Sequence, residues 1–281
     1  MTSVVLLGGG GFIGSKLSER LRTLNYNVVV ADMHQMPGST DNFIELDILS
    51  GSNFAEILKR FDVVINLTGQ ITSPINGCWK LNTQGITNIL SALKGSNTHI
   101  IQISTVSVYG TADFVDEDSA LNPETPYAVC KSFAEFLVRQ SLKEENYTIL
   151  RLSNLFGSEQ KKGFFSYIVQ AAKGNRTLEF NNDGSLLRYY LHIDDCVEAI
   201  SLMAQKRLAG TYNVCGLKAY TIKDIIDIFD KIHNIKFSVK YSSISPSENI
   251  KTISSSKFKE LTEYIARHSV EDYIKEIVLN D

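Results

Sequence analysis

Ser3-Val-Val-Leu-Leu7 followed by Gly8-Gly-Gly-Gly-Phe12-Ile-Gly14 is the stretch that decides the fold. The first five residues are a nearly unbroken apolar run, which suits a strand buried on both faces of a parallel sheet. Glycines spaced G-x-x-G-x-x-G at Gly8, Gly11 and Gly14 break the run. Helical spacing then begins with Phe12, Ile13, Leu17, Leu21 and Leu24. Side chains at the glycine positions would block a tight turn, the approach of backbone N–H groups to a pyrophosphate, and close packing of helix on strand. The helix start offers unpaired N–H groups and the positive end of its dipole to an anion. A glycine-rich turn alone is common. Strand, turn and amphipathic helix in direct succession predict a dinucleotide cradle.

Working outward, Asn27–Ala31 is a second buried strand, and Asp32 ends it. A carboxylate there accepts hydrogen bonds from an adenine ribose diol and repels a 2′-phosphate, so it favours NAD(H) over NADP(H). His34 nearby softens that selection, and NADP(H) stays open. Asp47-Ile48, beyond a third strand at 43–46, could hold the adenine edge or cap a local turn. Further strands are expected at 62–67, 99–104 and 147–152, helices near 53–60, 75–94 and 126–144, and a polar loop at 34–41. This alternation implies right-handed βαβ units and a doubly wound parallel α/β sheet, the Rossmann arrangement.

Past Arg151 the rhythm loosens. A loop at 154–163 and a helix at 164–173 precede short strands within 177–190. A helix at 194–205, with Asp194 or Asp195 as its cap, and a strand at 211–214 follow. Capping boxes open helices at Thr221 and Ser269, and 242–256 reads mostly as serine-rich loop. The expected organisation is a cofactor-binding domain over residues 1–153 and a small mixed α/β substrate lobe over 154–281, with segments interleaved.

Composition narrows the function classes. Across 281 residues, 28 Lys+Arg against 31 Asp+Glu give a net charge of −3, which argues against a nucleic-acid or polybasic membrane surface. No apolar run approaches the roughly 20 residues that span a bilayer, and the first residues lack a signal-peptide pattern. Cys78, Cys130, Cys196 and Cys215 are scattered without a CxxC pair, as expected of reduced, mostly buried thiols in a cytoplasmic protein. No metal site is expected.

Tyr127-Ala-Val-Cys-Lys131 carries the most chemistry. Spacing i,i+4 sets both side chains on one helix face. A free phenol with a pKa of about 10 is a poor base at neutral pH; a neighbouring ammonium, or a bound oxidised nicotinamide, favours the phenolate. Thr105, just past the fifth strand, can share a hydrogen bond at the same reacting oxygen, at the strand ends where a doubly wound sheet places its ligand. Y-x-x-x-K alone means little, since a packed tyrosine and an exposed lysine on an amphipathic helix give the same pattern. After a nucleotide cradle and a hydroxyl-bearing strand end, it predicts proton transfer.

Gly8–Gly14, Asp32, Ile103–Gly110, Tyr127–Lys131 and Arg151–Gly157, in this order, resemble the extended short-chain dehydrogenase/reductase family. More narrowly they resemble its nucleotide-sugar branch of 4-epimerases, 4,6-dehydratases and 4-keto-sugar reductases, over residues 1 to about 215. The resemblance implies a catalytic trio of Thr105, Tyr127 and Lys131. It implies a cofactor cradle of Gly8, Gly11, Phe12, Ile13, Gly14, Asp32, Asp47, Ile48, Leu67, Tyr127 and Lys131. A nucleotide-diphosphate sugar would be held by Thr105, Asn154 and Arg188, the last a planar fork of donors suited to phosphate. Asn82 matches an asparagine that the family keeps near the cofactor, or else packs between helices. A homodimer through the helices at 75–94 and 126–144 is a family-level expectation.

Within that family this chain departs in telling places. The 4,6-dehydratases carry Asp-Glu immediately after the catalytic threonine; here Val106 and Ser107 stand there. A valine transfers no proton, so dehydration is disfavoured, and serine in place of the glutamate usual in the sugar decarboxylases weakens that reading too. Leu7 replaces a threonine often seen before the glycine loop. Ser245-Pro-Ser-Glu-Asn249 lies where an arginine followed by Gly-Asp is frequent, so a basic nucleotide contact is missing or comes from Lys240 or Lys251. What remains is hydride transfer at one carbinol, C4. The expected activity is reduction of a nucleotide-diphosphate 4-keto-(6-deoxy)sugar in surface-polysaccharide biosynthesis, which the small lobe favours; the alternative, toward which Asp32 leans, is a 4-epimerase with tightly held NAD. A non-catalytic dinucleotide sensor would predict damage to the Tyr–Lys pair, and none is visible.

Overall fold

The computed structural model describes residues 1–35, 42–50, 53–69, 73–244 and 247–277. Seven parallel strands form the main sheet, in spatial order Gly210–Val214, Tyr147–Leu152, His99–Thr105, Val63–Asn66, Ser3–Leu7, Asn27–Asp32 and Asn42–Glu45. Strand order reverses beside Ser3–Leu7, so a crevice opens at the carboxyl ends of the two central strands, where such sheets bind ligands.

The apolar run at the start of the chain serves both faces, because side chains alternate along a strand. Val4 and Leu6 join a core with Leu17 and Leu21 of the helix Phe12–Thr23 and with Ile200 and Met203 of the helix Ile193–Lys206. Val5 and Leu7 face the opposite core with Phe54, Leu58, Ile89, Leu93 and Ala134. Full burial of a leucine such as Leu17 stabilises the fold by about 2–3 kcal/mol. Arg20 and Glu198 tie the first pair of helices with a 2.8 Å ion pair.

Several segments depart from expectation for identifiable reasons. The helix expected at 75–94 is two helices, Ile75–Lys80 and Ile86–Leu93, joined by a π-helical turn at Leu81–Gly85. A Cβ on Gly85 would lie 2.6 Å from Ile48 Cδ1, so a side chain there would displace the end of Ile48. The helix expected to reach 144 ends at Ser141. The helix Ile193–Lys206 is capped by neither Asp194 nor Asp195; the His192 ring nitrogen accepts from the Asp194 amide. Asp195 is buried and instead receives the Tyr264 hydroxyl and the amides of Arg267 and His268. The polar loop at 34–41 lies largely outside the described residues.

The strand Gly210–Val214 returns to extend the main sheet beside Tyr147–Leu152, while the lobe builds its own core. Asn154–Phe156, expected as loop, pairs with Leu187–His192, which also pairs with Ala219–Thr221. Ile250–Ile253, expected as serine-rich loop, pairs with Ala112–Val115 from the first half of the chain. Phe156, Phe165, Tyr190 and Phe229 fill the lobe's core. Thr221 and Asp224 form the expected capping box. Cys78, Cys130 and Cys196 are buried, Cys215 is half-buried, and all four are free thiols.

Candidate active site

The glycine turn is built as its spacing demands. Gly8 has φ +75°, and a Cβ there would lie 3.0 Å from Thr68 Cγ2. A Cβ on Gly14 would lie 2.4 Å from the Gly9 carbonyl oxygen, so helix and turn touch backbone to backbone. Gly11 differs: its Cβ would meet only the Gly8 oxygen, at an ordinary 3.4 Å. Glycine is therefore not required there by internal packing, and its backbone is exposed. Gly11 is also the N-cap of Phe12–Thr23 and provides no side-chain cap, which leaves the first amides of the helix for an anion.

Asp32 is woven into this turn. Its Oδ2 accepts from the Gly10 amide at 2.9 Å and its Oδ1 from Met33 at 2.7 Å. Asp47 accepts from the Leu49 amide at 2.9 Å through Oδ1, and Ile48 is buried with its side chain against Gly85. Leu67 is buried where its strand ends. Asn82 packs in the π-helical turn and donates to the Gly69 and Cys78 carbonyls, at 3.1 and 2.9 Å.

Thr105, Tyr127, Asn154 and Arg188 line one cavity of about 680 Å³, between the sheet's carboxyl end and the lobe. Thr105 ends its strand in register with Leu152 and caps a short 3₁₀ turn, its Oγ1 accepting from the Ser107 amide at 3.2 Å. The hydroxyl proton is left to donate elsewhere. Tyr127 opens the helix Pro126–Ser141, which Thr125 caps and Pro126 starts. Lys131 lies one turn on, fully buried, and its Nζ has no hydrogen-bond partner among the described residues.

An unpaired buried ammonium is costly. Burial lowers the Lys131 pKa to about 8, opposed by Cys78, Glu135 and Cys130. Burial also raises the Tyr127 phenol well above its ordinary value, with Cys78 and Glu248 adding to the effect. The orphaned Lys131, the bare Gly11 surface and the uncapped helix start fit a nicotinamide dinucleotide, whose ribose hydroxyls and pyrophosphate would satisfy them.

Behind the pair lies a polar network that the motif alone did not reveal. Glu135, one turn past Lys131 and fully buried, accepts from Ser104 Oγ at 2.6 Å, from Arg151 at 2.7 Å and from Arg139 at 2.9 Å. Arg151 also donates to the Tyr109 hydroxyl at 2.7 Å and lies over that ring. Ser104 adjoins Thr105, so one carboxylate couples the strand end to the Tyr–Lys helix. The legible signal was an acid on the buried face, four residues after Lys131.

The lobe wall is organised differently. Arg188 donates to the Leu187, Ser247 and Glu248 carbonyls, and its Nη2 lies 3.7 Å from the Glu248 carboxylate. Glu248 also accepts from Thr125 Oγ1 at 2.5 Å and is the one carboxylate among the described cavity-lining residues. Lys240 and Lys251, expected to replace a basic contact, instead pair with Glu179 and Asp113 at the surface. Away from the cavity, His192, Asp194 and His268 come within 4.8 Å of one another. Their Nδ1 atoms serve other ends: that of His192 accepts the Asp194 amide, and that of His268 lies 3.1 Å from Asp195.

A doubly wound sheet with a glycine turn at its first strand end, and a Tyr–Lys helix whose Tyr127 lines the cavity, defines an enzyme of the extended short-chain dehydrogenase/reductase class. The chain belongs to the NAD dependent epimerase/dehydratase family, whose model matches residues 4–215. It is 27% identical over 260 residues to a UDP-N-acetyl-alpha-D-glucosaminuronate decarboxylase of Bacillus cytotoxicus, covering 83% of this chain and 80% of that protein. Its structure matches the UDP-glucuronic acid 4-epimerase of Bacillus cereus, solved with UDP-glucuronic acid and NAD. That match has a TM-score of 0.86 at 25% identity, covering 98% of this chain and 97% of the other. A dTDP-glucose 4,6-dehydratase from Streptomyces venezuelae gives a TM-score of 0.87 at 21% identity, covering 98% and 95%. Fold alone therefore does not separate these chemistries. Among the described residues no helix is long and apolar enough to cross a membrane.

Proposed function

We propose that this chain is an NAD-dependent 4-epimerase of a nucleotide-diphosphate sugar. The observation that carries the reading is the convergence of Thr105, Tyr127, Asn154 and Arg188 on one cavity backed by the orphaned Lys131. We assign residues 1–153 to cofactor binding and proton transfer, and 154–281 to the sugar-nucleotide wall, with Gly210–Val214 returning to the sheet.

The bound dinucleotide supplies a hydride acceptor and donor at its nicotinamide. This chain's own groups handle the proton. Tyr127 takes it from the C4 hydroxyl as hydride leaves and returns it when hydride comes back to the other face. A phenol pushed up by burial needs positive charge nearby to release its proton, and Lys131 supplies it. Thr105 donates to the same oxygen and fixes its position. Val106, beside Thr105, is apolar, and Glu248 is engaged by Thr125 and Arg188. Among the described cavity-lining residues this leaves no uncommitted carboxylate for the proton removal at C5 that dehydration requires.

Lobe size was the ground for expecting a reductase. The solved 4-epimerase is matched over 97% of its length, lobe included, so that ground is lost and epimerisation takes first place. Asp32 supports NAD(H) over NADP(H), since its carboxylate would stand against a 2′-phosphate. Incubation of the protein with NAD and a panel of UDP- and dTDP-hexoses, followed by NMR, should show interconversion at C4. Stoichiometric consumption of added NADH by a 4-keto sugar, without epimerisation, would overturn the assignment in favour of the reductase.

The face of the Tyr–Lys helix turned away from the sheet supports a homodimer. Trp79, Phe133 and Phe136 are 51%, 37% and 53% exposed and stack in a row, with centroids 6.0 and 6.2 Å apart. Such a patch on neighbouring helices suits a self-complementary contact. Phe136→Glu should convert the species seen by light scattering from dimer to monomer.

A further inference from the structure

The cavity holds a polar atom that neither the proton-transfer groups nor the diphosphate contacts use. Gln160 lies in the segment between the strand Asn154–Phe156 and the helix Phe164–Lys173 and lines the cavity beside Asn154, Leu155 and Phe164. Its Nε2 donates to the Leu155 carbonyl at 3.1 Å. That contact fixes the amide's orientation, because a flipped amide would set two oxygens against each other. The other amide atom, Oε1, is buried and has no hydrogen-bond partner among the described residues. Buried side-chain oxygens are almost always paired, and an orphan costs free energy that a ligand's donor recovers.

Chemistry indicates which donor. Gln160 is anchored on Leu155, in the strand that carries Asn154 and pairs with the strand of Arg188. Ionised phosphate has no proton to donate, so it cannot satisfy the Gln160 oxygen, whereas a sugar hydroxyl can. We propose that Gln160 is a specificity-determining residue whose Oε1 accepts a hydrogen bond from a sugar hydroxyl of the substrate. This rests on the nucleotide-sugar reading and adds a selection: the pocket favours a sugar that presents a donor there. A wrong or missing donor leaves the buried oxygen unpaired, the kind of penalty by which polar sites discriminate most strongly.

The test is calorimetric binding of UDP-glucose, dTDP-glucose, UDP and dTDP to the NAD-loaded protein and to Gln160→Leu and Gln160→Met. Both variants should bind the sugar nucleotides about 10- to 100-fold more weakly while binding UDP and dTDP within about twofold of the unaltered chain. Retained NAD binding by either variant shows that the local fold survived. Equal weakening of sugar nucleotides and free nucleotides would overturn the proposal, as would no weakening of either. Loss of NAD binding by both variants would make Gln160 a structural residue and overturn it also. Failure of the unaltered chain to bind any of the four would instead sink the nucleotide-sugar reading itself, and this proposal with it.

Discussion

The two walls of the cavity are held by different means. On the sheet side, Tyr127 and Lys131 ride on a helix fixed from behind by a closed set of side-chain bonds, with Glu135 joined to Ser104, Arg139 and Arg151. On the lobe side, Arg188 is held chiefly by backbone carbonyls of a crossing segment and by one ion pair at 3.7 Å. The first arrangement is buried and side-chain specific, so small changes are expensive. The second is half-buried, and a ligand's phosphate can take the place of the Glu248 carboxylate at Arg188. One wall suits fixed chemistry and the other an exchangeable ligand.

The comparison breaks first at the phenol. Tyr127→Phe should lower kcat by about 10²- to 10⁴-fold while NAD binding, read by fluorescence titration, changes little. Normal turnover would remove Tyr127 from proton transfer. Next, Glu135→Gln leaves Arg151 buried without its counter-charge and should destabilise the protein by about 3–5 kcal/mol in urea titration. A variant as stable as the original would show that the network behind the helix does not set its position.

Lys131 gives a prediction of opposite sign. Its folded pKa is lowered from 10.5 to about 8, so the folded state holds its charge at a cost that is full below about pH 8 and is relieved as pH rises toward 10.5. Lys131→Met should therefore stabilise the cofactor-free protein at pH 7, by on the order of 3 kcal/mol, while impairing turnover. The gain should shrink toward pH 10. A loss of stability at pH 7 would contradict an orphaned ammonium.

Smaller effects belong to the periphery. Asp32→Ala should reduce the preference for NAD(H) over NADP(H) by about tenfold in kcat/KM, and unchanged selectivity would place the ribose contact elsewhere. On the lobe wall, Glu248→Gln should lower KM for a nucleotide sugar about threefold, since the Glu248 carboxylate would no longer compete with phosphate for Arg188. A raised KM would instead make Glu248 a direct substrate contact.

Legibility in the sequence follows the same division. The sheet was readable because Val4–Leu7 and Val63–Ile65 at its centre are apolar and buried on both faces, and because Gly8 and Gly14 have no steric alternative. Tyr127 and Lys131 were readable from helical spacing. The pairing of Ile250–Ile253 with Ala112–Val115 was not, because only the outer residues Ile250 and Ile253 of that strand are buried and its partner lies far away in sequence. Glu248 escaped notice for the same reason, its role being created by a long-range crossing. His192 took the cap assigned to Asp194 or Asp195 because an imidazole nitrogen can accept the amide that a carboxylate usually takes. Asp195 was withdrawn into the core by Tyr264 and the amides near it.

The central claim is that Tyr127, Lys131 and Thr105 serve a reversible hydride transfer at C4 of a nucleotide sugar. A UDP-hexose deuterated at C4, incubated in ordinary water with the NAD-loaded protein, tests it most directly. The account predicts a 4-epimer that keeps deuterium at C4, with no net accumulation or consumption of NADH. Epimer formed with loss of the label to solvent, or no epimer beside stoichiometric oxidation of NADH by a 4-keto sugar, would contradict it.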